Sequence, residues 1–373
     1  MTALSIVESS TAYTTLVTYL SSLPATTIQL QTATATLTQD ITPTPTSTIP
    51  THLETLWSSV LLHACRSSYN SDTHHTALAN LLSSIQNTNI NNTIHQEEQD
   101  PELELTPELT YHEKRFTWST LPDFNIQIRK WYNCSPSSQS TPLQGLTFGN
   151  KEWLNFNAFL SLFTHLTLTK YPLKMDISKL DPLGGDAAND PPSITPLLID
   201  RLVGTDDYEG NISDIPLVGD NNKYTRESGG IHCCRQDEEG GLEDEEDEYT
   251  PQRSAGDYSL YAIHTLRELE HGKPCADIRY VDISAAAVWV IFAGEKLYEM
   301  CKVGRKYAGN VACGGQEFKD ERWRGFSVDR WKVWLAGFMM FLLMIEGDDD
   351  VGEEEQETRE LIARAVGVME ARE

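Results

Sequence analysis

The feature that most constrains the fold is a run of apolar residues with helical spacing in the last third of the chain. Starting at Ala286, apolar positions recur at alternating steps of four and three residues, which is the spacing of a buried helical seam. The seam consists of Ala286, Val290, Ala293, Leu297 and Met300. No alternation of apolar and polar residues is long enough to build a sheet. The sequence therefore predicts an all-α fold.

Comparable helical stripes lie on both sides of this seam. One stripe near the N-terminus comprises Leu53, Leu56, Trp57, Val60, Leu61 and Ala64. Near the C-terminus, Phe326 and Trp331 flank Ser327 in the arrangement of a hydrophobic staple around a helix N-cap. The helix that follows is expected to run to about Ile345 and is apolar on nearly every face. We expect about ten helices in all.

A strongly acidic stretch separates two groups of helical segments. Residues 171–256 contain 20 acidic and 7 basic residues together with several Gly-Gly and Pro-Pro pairs. A chain with high charge and few large apolar side chains cannot offset the entropy lost on ordering. We therefore predict that 171–256 is a largely disordered insertion, and that 1–170 and 257–373 together form a single helical domain. The acidic run also leaves open a role in binding basic proteins.

Charge and cysteine content limit the compartments and partners that are expected. The chain has 55 acidic and 29 basic residues and a formal net charge of -26, which disfavours binding to nucleic acid. Residues 1–23 lack the basic segment and the long apolar segment of a secretory signal. Seven cysteines, an odd number without a regular spacing, are typical of reduced intracellular thiols. We expect a cytoplasmic or nuclear protein that is not secreted.

Two apolar runs are too short to be membrane spans. Residues 285–293 form a run of nine and residues 333–345 a run of thirteen, whereas a spanning helix needs about 20 apolar residues. Runs of this length are more typical of buried core helices. We expect no membrane association.

Several segments in a fixed order resemble one protein family. They are WSTLPDFNIQIRKW (118–131), EWLNFNAFLSLF (152–163), LYAIHTLRELE (260–270), AAAVWVIFAGEKLYEMC (285–301) and GFSVDRWKVW (325–334). In this order they resemble the domain-of-unknown-function 3632 family of filamentous ascomycetes, from about Thr11 to Arg372 apart from the acidic insertion. The resemblance implies a single helical domain of a fungal protein without established catalytic residues, so no site can be transferred by position.

Motifs of common enzymes and cofactor sites are absent from the sequence. There is no phosphate-binding glycine loop, no HExxH zinc motif and no GxSxG nucleophile motif. The segment 232–234, His-Cys-Cys, lacks the second pair of ligands that a structural zinc site needs. We therefore predict no catalytic residues, no metal site and no cofactor.

The best candidates for a ligand pocket are polar and aromatic residues on two predicted helices. His264, Arg267, Glu268 and Glu270 share one segment with two tyrosines, and Arg330 lies beside tryptophans in another. An Arg–Glu pair walled by aromatic rings could bind a small polar ligand, but the favoured interpretation is a core ion pair that fixes the helix register. The pocket candidates are Tyr258, Tyr261, His264, Glu268, Arg330 and Trp334.

The apolar helix near the C-terminus supplies candidates for a protein interface. A helix that is apolar on all sides lies either at the centre of a domain or in an oligomer. The interface candidates are Phe338, Met340, Phe341, Leu343 and Met344. The favoured interpretation is a non-catalytic protein-interaction module that binds protein partners or itself. An enzyme or small-metabolite binder, and a binder of basic proteins through the acidic insertion, are the alternatives.

Overall fold

The structure is a computed structural model that describes most of the chain outside the acidic insertion. The described residues are 3–39, 48–70, 72–88, 110–111, 114–136, 148–171, 256–271, 280–307, 310–321, 323–346 and 352–372. Residues 172–255 lie outside this set, so the predicted disorder of the insertion and its proposed binding of basic proteins remain predictions.

The described residues form eleven α-helices, which confirms the all-α prediction. The helices are α1 (Ala3–Glu8), α2 (Thr11–Ser21), α3 (Thr27–Gln39), α4 (Ile49–Arg66), α5 (Asp72–Gln86), α6 (Phe124–Tyr132), α7 (Asn150–Lys170), α8 (Ser259–Leu266), α9 (Tyr280–Val303), α10 (Val328–Glu346) and α11 (Glu353–Glu370). Short 3₁₀ helices occupy Trp118–Thr120, Arg267–Glu270, Asn310–Ala312 and Gln316–Glu321. In the described part of the chain, no helix combines the length and the apolar character needed to cross a membrane.

Within the residues that the structure describes, extended structure is limited to short pairings. Strands β1 (Thr110–Tyr111) and β2 (Lys114–Arg115) pair antiparallel, with Thr110 opposite Arg115. Two isolated antiparallel bridges join Lys306 to Gly325 and Cys313 to Arg324. Pairings of one or two residues leave no trace in the apolar pattern of a sequence, because alternation needs four or more residues to be recognised.

The contacts within the chain divide it into two compact units. The first comprises residues 1–173, 252–262 and 287–296, and the second comprises residues 174–251, 263–286 and 297–373. Helices α8 and α9 contribute residues to both units. The expectation that 1–170 and 257–373 fold as one domain stays a prediction.

The first unit is built around α4 and α7, which pack against each other. The predicted stripe on α4, from Leu53 to Ala64, is buried. A buried amide on α7 fixes the end of α4, because Asn155 donates to the carbonyl of Cys65 over 2.7 Å and accepts from the backbone N–H of Tyr69 over 2.8 Å. A second α7 amide, Asn157, accepts from the indole N–H of Trp289 over 2.9 Å. Buried polar groups of this unit are thus used to set helix positions.

The second unit contains α10 and α11, which pack against each other and are joined by six residues. The hydroxyl of Ser327 accepts from the backbone N–H of Arg330 over 3.1 Å, so Ser327 caps α10 as the sequence predicts. At the start of α11, the carboxylate of Glu355 accepts from the backbone N–H of Gly352 over 3.1 Å. The hydroxyls of Ser284 and Thr358 lie 2.9 Å apart in the core of this unit.

Candidate functional site

The guanidinium of Arg330 lies in the first turn of α10 and is completely buried, with 0% of the side chain exposed. It donates from Nε to Oε1 of Glu270 over 2.6 Å and from Nη2 to Oε2 over 3.2 Å. Three backbone carbonyls, those of Ala312, Cys313 and Gly325, each accept a further hydrogen bond over 2.8 Å. A guanidinium carries five N–H donors. All five are therefore used within the protein.

The carboxylate of Glu270 is equally enclosed, with 0% of its side chain exposed. It stands at the end of the 3₁₀ helix Arg267–Glu270. Besides the two bonds from Arg330, Oε1 accepts from the indole N–H of Trp334 over 2.7 Å and Oε2 accepts from the backbone N–H of Gly315. A carboxylate offers about four acceptor positions. Four donors occupy them, so neither member of the ion pair has hydrogen-bonding capacity left for a ligand.

Aromatic rings and a glycine complete this arrangement. The guanidinium carbon of Arg330 lies 5.3 Å from the centroid of Trp334 and 5.5 Å from that of Trp323. A Cβ at Gly315 would lie 2.8 Å from the Cβ of Glu270, so only glycine allows this close approach of the loop. We call the set of Arg330, Glu270, Trp334 and Gly315 the buried ion-pair network. It ties the 3₁₀ helix, the loop 312–315 and α10 to one another.

The buried ion-pair network lies in a part of the chain that matches the model of a known protein family. The model of a family described as a protein of unknown function, DUF3632, matches residues 57–180 and 247–338, which is more than half of the chain. The chain belongs to the DUF3632 family. Comparisons with curated proteins and with solved structures gave no match. The DUF3632 match is shorter than the extent estimated from the sequence, because it begins at Trp57 and ends at Phe338.

The acidic partner of Arg330 in this DUF3632 protein is Glu270 rather than the candidate Glu268. The two glutamates lie two residues apart, so they point to different sides of the same segment. Ile263, Leu266 and Glu270 stand at i, i+3 and i+7, and all three are buried. That spacing is present in the sequence and could have identified Glu270 as a residue of the buried face.

Glu268 forms a separate, half-exposed polar cluster with two histidines. Its carboxylate lies 3.6 Å from Nε2 of His271, and the two side chains are 36% and 39% exposed. Burial raises the pKa of Glu268, but the hydrogen bond and charge of His271, together with the charges of His264 and Arg267, lower this pKa overall. The same hydrogen bond raises the pKa of His271. Burial, assisted by the charge of Arg267, lowers the pKa of His264 to about 4.

Among the described residues, no group of three or more histidine, cysteine, aspartate or glutamate side chains could hold a metal ion. The cluster of Glu268, His264 and His271 is therefore not arranged as a metal site. The segment 232–234 lies outside the described residues.

Of the two candidate tyrosines, Tyr258 is buried in the aromatic core of the first unit and Tyr261 is half-buried beside it. The Tyr258 ring lies 6.0 Å from the rings of Phe124 and Phe163, and its backbone N–H donates to the hydroxyl of Thr164 over 3.2 Å. Burial raises the pKa of Tyr258 well above its ordinary value. The ring of Tyr261 lies 4.6 Å from that of Tyr132. The contacts described for these rings are those of core packing.

The interface candidates on α10 divide between the core and the surface. Phe338 and Phe341 are buried, whereas Leu343 is 69% exposed and Met344 is 50% exposed. Met340 is half-buried and packs, together with Ala336, against a small cluster formed by Phe318 and Val333.

Sequence reasoning missed Met339, which is 46% exposed. We call the helix face formed by Ala336, Met339, Met340, Leu343 and Met344 the α10 apolar strip. Its members stand at i, i+3, i+4, i+7 and i+8, which places them on one side of the helix. All of its residues but Ala336 lie beyond the end of the family match.

Proposed function

We propose that this DUF3632 protein is a non-catalytic helical module that acts through protein–protein contacts made by the α10 apolar strip. The observation that carries the proposal is the exposure of three large apolar side chains, Met339, Leu343 and Met344, within six residues of one helix. Isolated apolar side chains are ordinary on protein surfaces, whereas a contiguous apolar patch is typical of an interaction site.

The composition of the strip suits contact with a partner. Burying one leucine or methionine side chain that was exposed to water contributes about 1.5–3 kcal/mol. Methionine is unbranched and polarisable, so it adapts to partner surfaces of different shape. Beneath the strip, Val333 and Phe318 are buried, which holds the helix on a packed base.

The buried ion-pair network supports a structural role for the residues that could otherwise have carried chemistry. A substrate at Arg330 would have to replace hydrogen bonds that the protein already makes to Glu270 and to three backbone carbonyls. Separating a buried ion pair costs about 3–5 kcal/mol. That cost favours a permanently closed pair over a ligand site.

The proposal is tested by the size of the complexes that the full-length protein forms in cells that naturally contain it. The strip variant is Leu343→Ser/Met344→Ser, and Ile28→Ser is the matched control, because Ile28 is 73% exposed on α3 of the first unit. We expect native mass spectrometry to find the wild type and the control in an assembly that the strip variant fails to form. A wild-type protein that occurs only as a bare single chain, or an assembly unaffected by the strip variant, would refute the proposal.

A second candidate function, binding of a small polar ligand, is favoured by the cluster of His264, Glu268 and His271. The hydrogen bond between Glu268 and His271 lowers the pKa of the glutamate and raises that of the histidine, and partly exposed groups with shifted pKa values are candidates for functional sites. The same native mass spectra test this candidate. It requires extra mass on the folded chain that disappears in the Glu268→Gln variant.

A further inference from the structure

The helix that packs against α10 carries exposed acidic side chains near its start. Helix α11 packs against α10, and the start of α11 at Glu353 lies within about 25 Å of the end of α10 at Glu346, because only six residues join them. In the first half of α11, Glu353, Glu354 and Glu360 are exposed. We call these three glutamates the acidic rim.

From this juxtaposition we infer that the partner of the strip is a basic amphipathic helix of another protein. The inference rests on the proposed function and specifies the chemistry of its partner. An amphipathic helix presents apolar residues at i, i+3, i+4 and i+7, which matches a helical strip running from Ala336 to Met344. Lysine or arginine residues beside that apolar face would meet the acidic rim.

Charge favours such a partner over a second copy of this chain. A second copy carries the same net charge of -26 and the same acidic rim, so two copies repel each other. Basic residues near the strip are Lys332, which precedes Ala336 by about one helical turn, and exposed Lys319, which follows Phe318 in the cluster beneath the strip. The net negative charge of the chain instead attracts a basic helix, and this attraction accelerates association.

The test uses designed peptides and the full-length protein. The probe is a fluorescent amphipathic peptide of about 18 residues with a leucine face and a lysine face, which is long enough for five helical turns. The first control peptide replaces every lysine with glutamate, and the second has the same composition in a scrambled order without an apolar face. Binding is measured by fluorescence anisotropy at low and at high salt. The protein variants are Leu343→Ser/Met344→Ser, the rim variant Glu353→Gln/Glu354→Gln/Glu360→Gln, and the matched control Ile28→Ser.

We expect the basic amphipathic peptide alone to bind the wild type and the control. The strip variant should bind it at least about tenfold more weakly, which corresponds to about 1.4 kcal/mol. The rim variant should bind the peptide more weakly at low salt, because it has three fewer carboxylates to attract the lysines. The affinity of this variant should also change less with salt concentration. Cooperative urea transitions in both variants would show that they remain folded; the midpoint of the rim variant should fall slightly, because Glu353 and Glu354 stand in the first turn of α11.

Other outcomes overturn the inference and leave the proposed function separately testable. Equal binding of the scrambled peptide, or of the strip variant, would show that charge alone attracts the peptide. Concentration-dependent dimers that disappear in the strip variant would identify a second copy as the partner, while contacts through α10 would stand. Absence of binding to every peptide would exclude the basic helix, and the assembly experiment would then decide whether the strip binds any protein.

Discussion

Glu270→Gln is the substitution that most directly tests whether the buried ion-pair network is structural. Glutamine keeps the shape of the side chain but removes the negative charge and turns one acceptor oxygen into a donor. Its amide would then face donors on Arg330 and either Trp334 or Gly315, which all donate to Glu270 in the native protein. The guanidinium would stay buried without a counter-charge.

The expected loss of stability follows from this count. Removing one member of a buried ion pair costs about 3–5 kcal/mol, because the remaining charge is uncompensated. The total stability of a typical protein is only about 5–15 kcal/mol. We therefore expect Glu270→Gln to lower the free energy of unfolding by about 3 kcal/mol or more.

Urea unfolding followed by circular dichroism measures this loss, with the slope of the transition as a check on compactness. Glu268→Gln is the matched control, because Glu268 lies on the same 3₁₀ helix but its ion pair with His271 is 36–39% exposed. Exposed pairs contribute about 0–1 kcal/mol, so the control should lose at most that amount.

A double-mutant cycle with Arg330→Met separates the pair from its surroundings. Methionine removes the cation and leaves the carbonyls of Ala312, Cys313 and Gly325 without this donor. If the two side chains act as one unit, the free energy of unfolding of the double variant should fall by about 2–3 kcal/mol less than the sum of the decreases in the two single variants. A loss below about 1 kcal/mol in both single variants would refute the structural role and would make a ligand-binding role of Arg330 the better explanation.

Two further predictions concern a close backbone approach and a buried histidine. Gly325→Ala would place its Cβ on the carbonyl oxygen of Arg305, so we expect the free energy of unfolding, measured with urea, to fall by about 3 kcal/mol. The control Gly304→Ala should lose only about 1–2 kcal/mol, because Gly304 has a φ of 62° but open space around it. Equal losses in the two variants would contradict the steric overlap at Gly325. Folding lowers the pKa of His264 from 6.5 to about 4, so between these pH values the unfolded chain binds a proton that the folded chain does not. The free energy of unfolding should therefore decrease by at most about 3 kcal/mol as the pH falls from about 6.5 to about 4. A decrease that is unchanged in His264→Gln would assign it to other groups.

The helices could be predicted from the sequence because their signals are local. The seam from Ala286 to Met300 is buried, and the cap at Ser327 forms the hydrogen bond that its pattern indicates. Both signals lie within a few turns of one helix, where spacing along the sequence translates directly into position on a face. The short bridges of Lys306 and Cys313 had no such signal, because each involves a single residue pair.

The candidate site could be predicted only in part. Arg330 and Trp334 do lie together, but their acidic partner is Glu270, which precedes Arg330 by 60 residues. Local periodicity indicates which face of a segment is buried, yet it contains no information on which distant segment covers that face. The same limit applies to α10, where apolar residues on every side gave no basis for separating buried Phe338 from exposed Leu343.

The sequence by itself determined the helical class, the acidic segment and the residue types available for each role, since these depend on composition and on spacing within single elements. Tertiary structure alone decided that Arg330 is saturated by Glu270 and three carbonyls, and that Met339, Leu343 and Met344 face outward. The physical reason is that hydrogen-bond saturation and exposure depend on atoms contributed by several segments, whose meeting is fixed only when the whole unit packs.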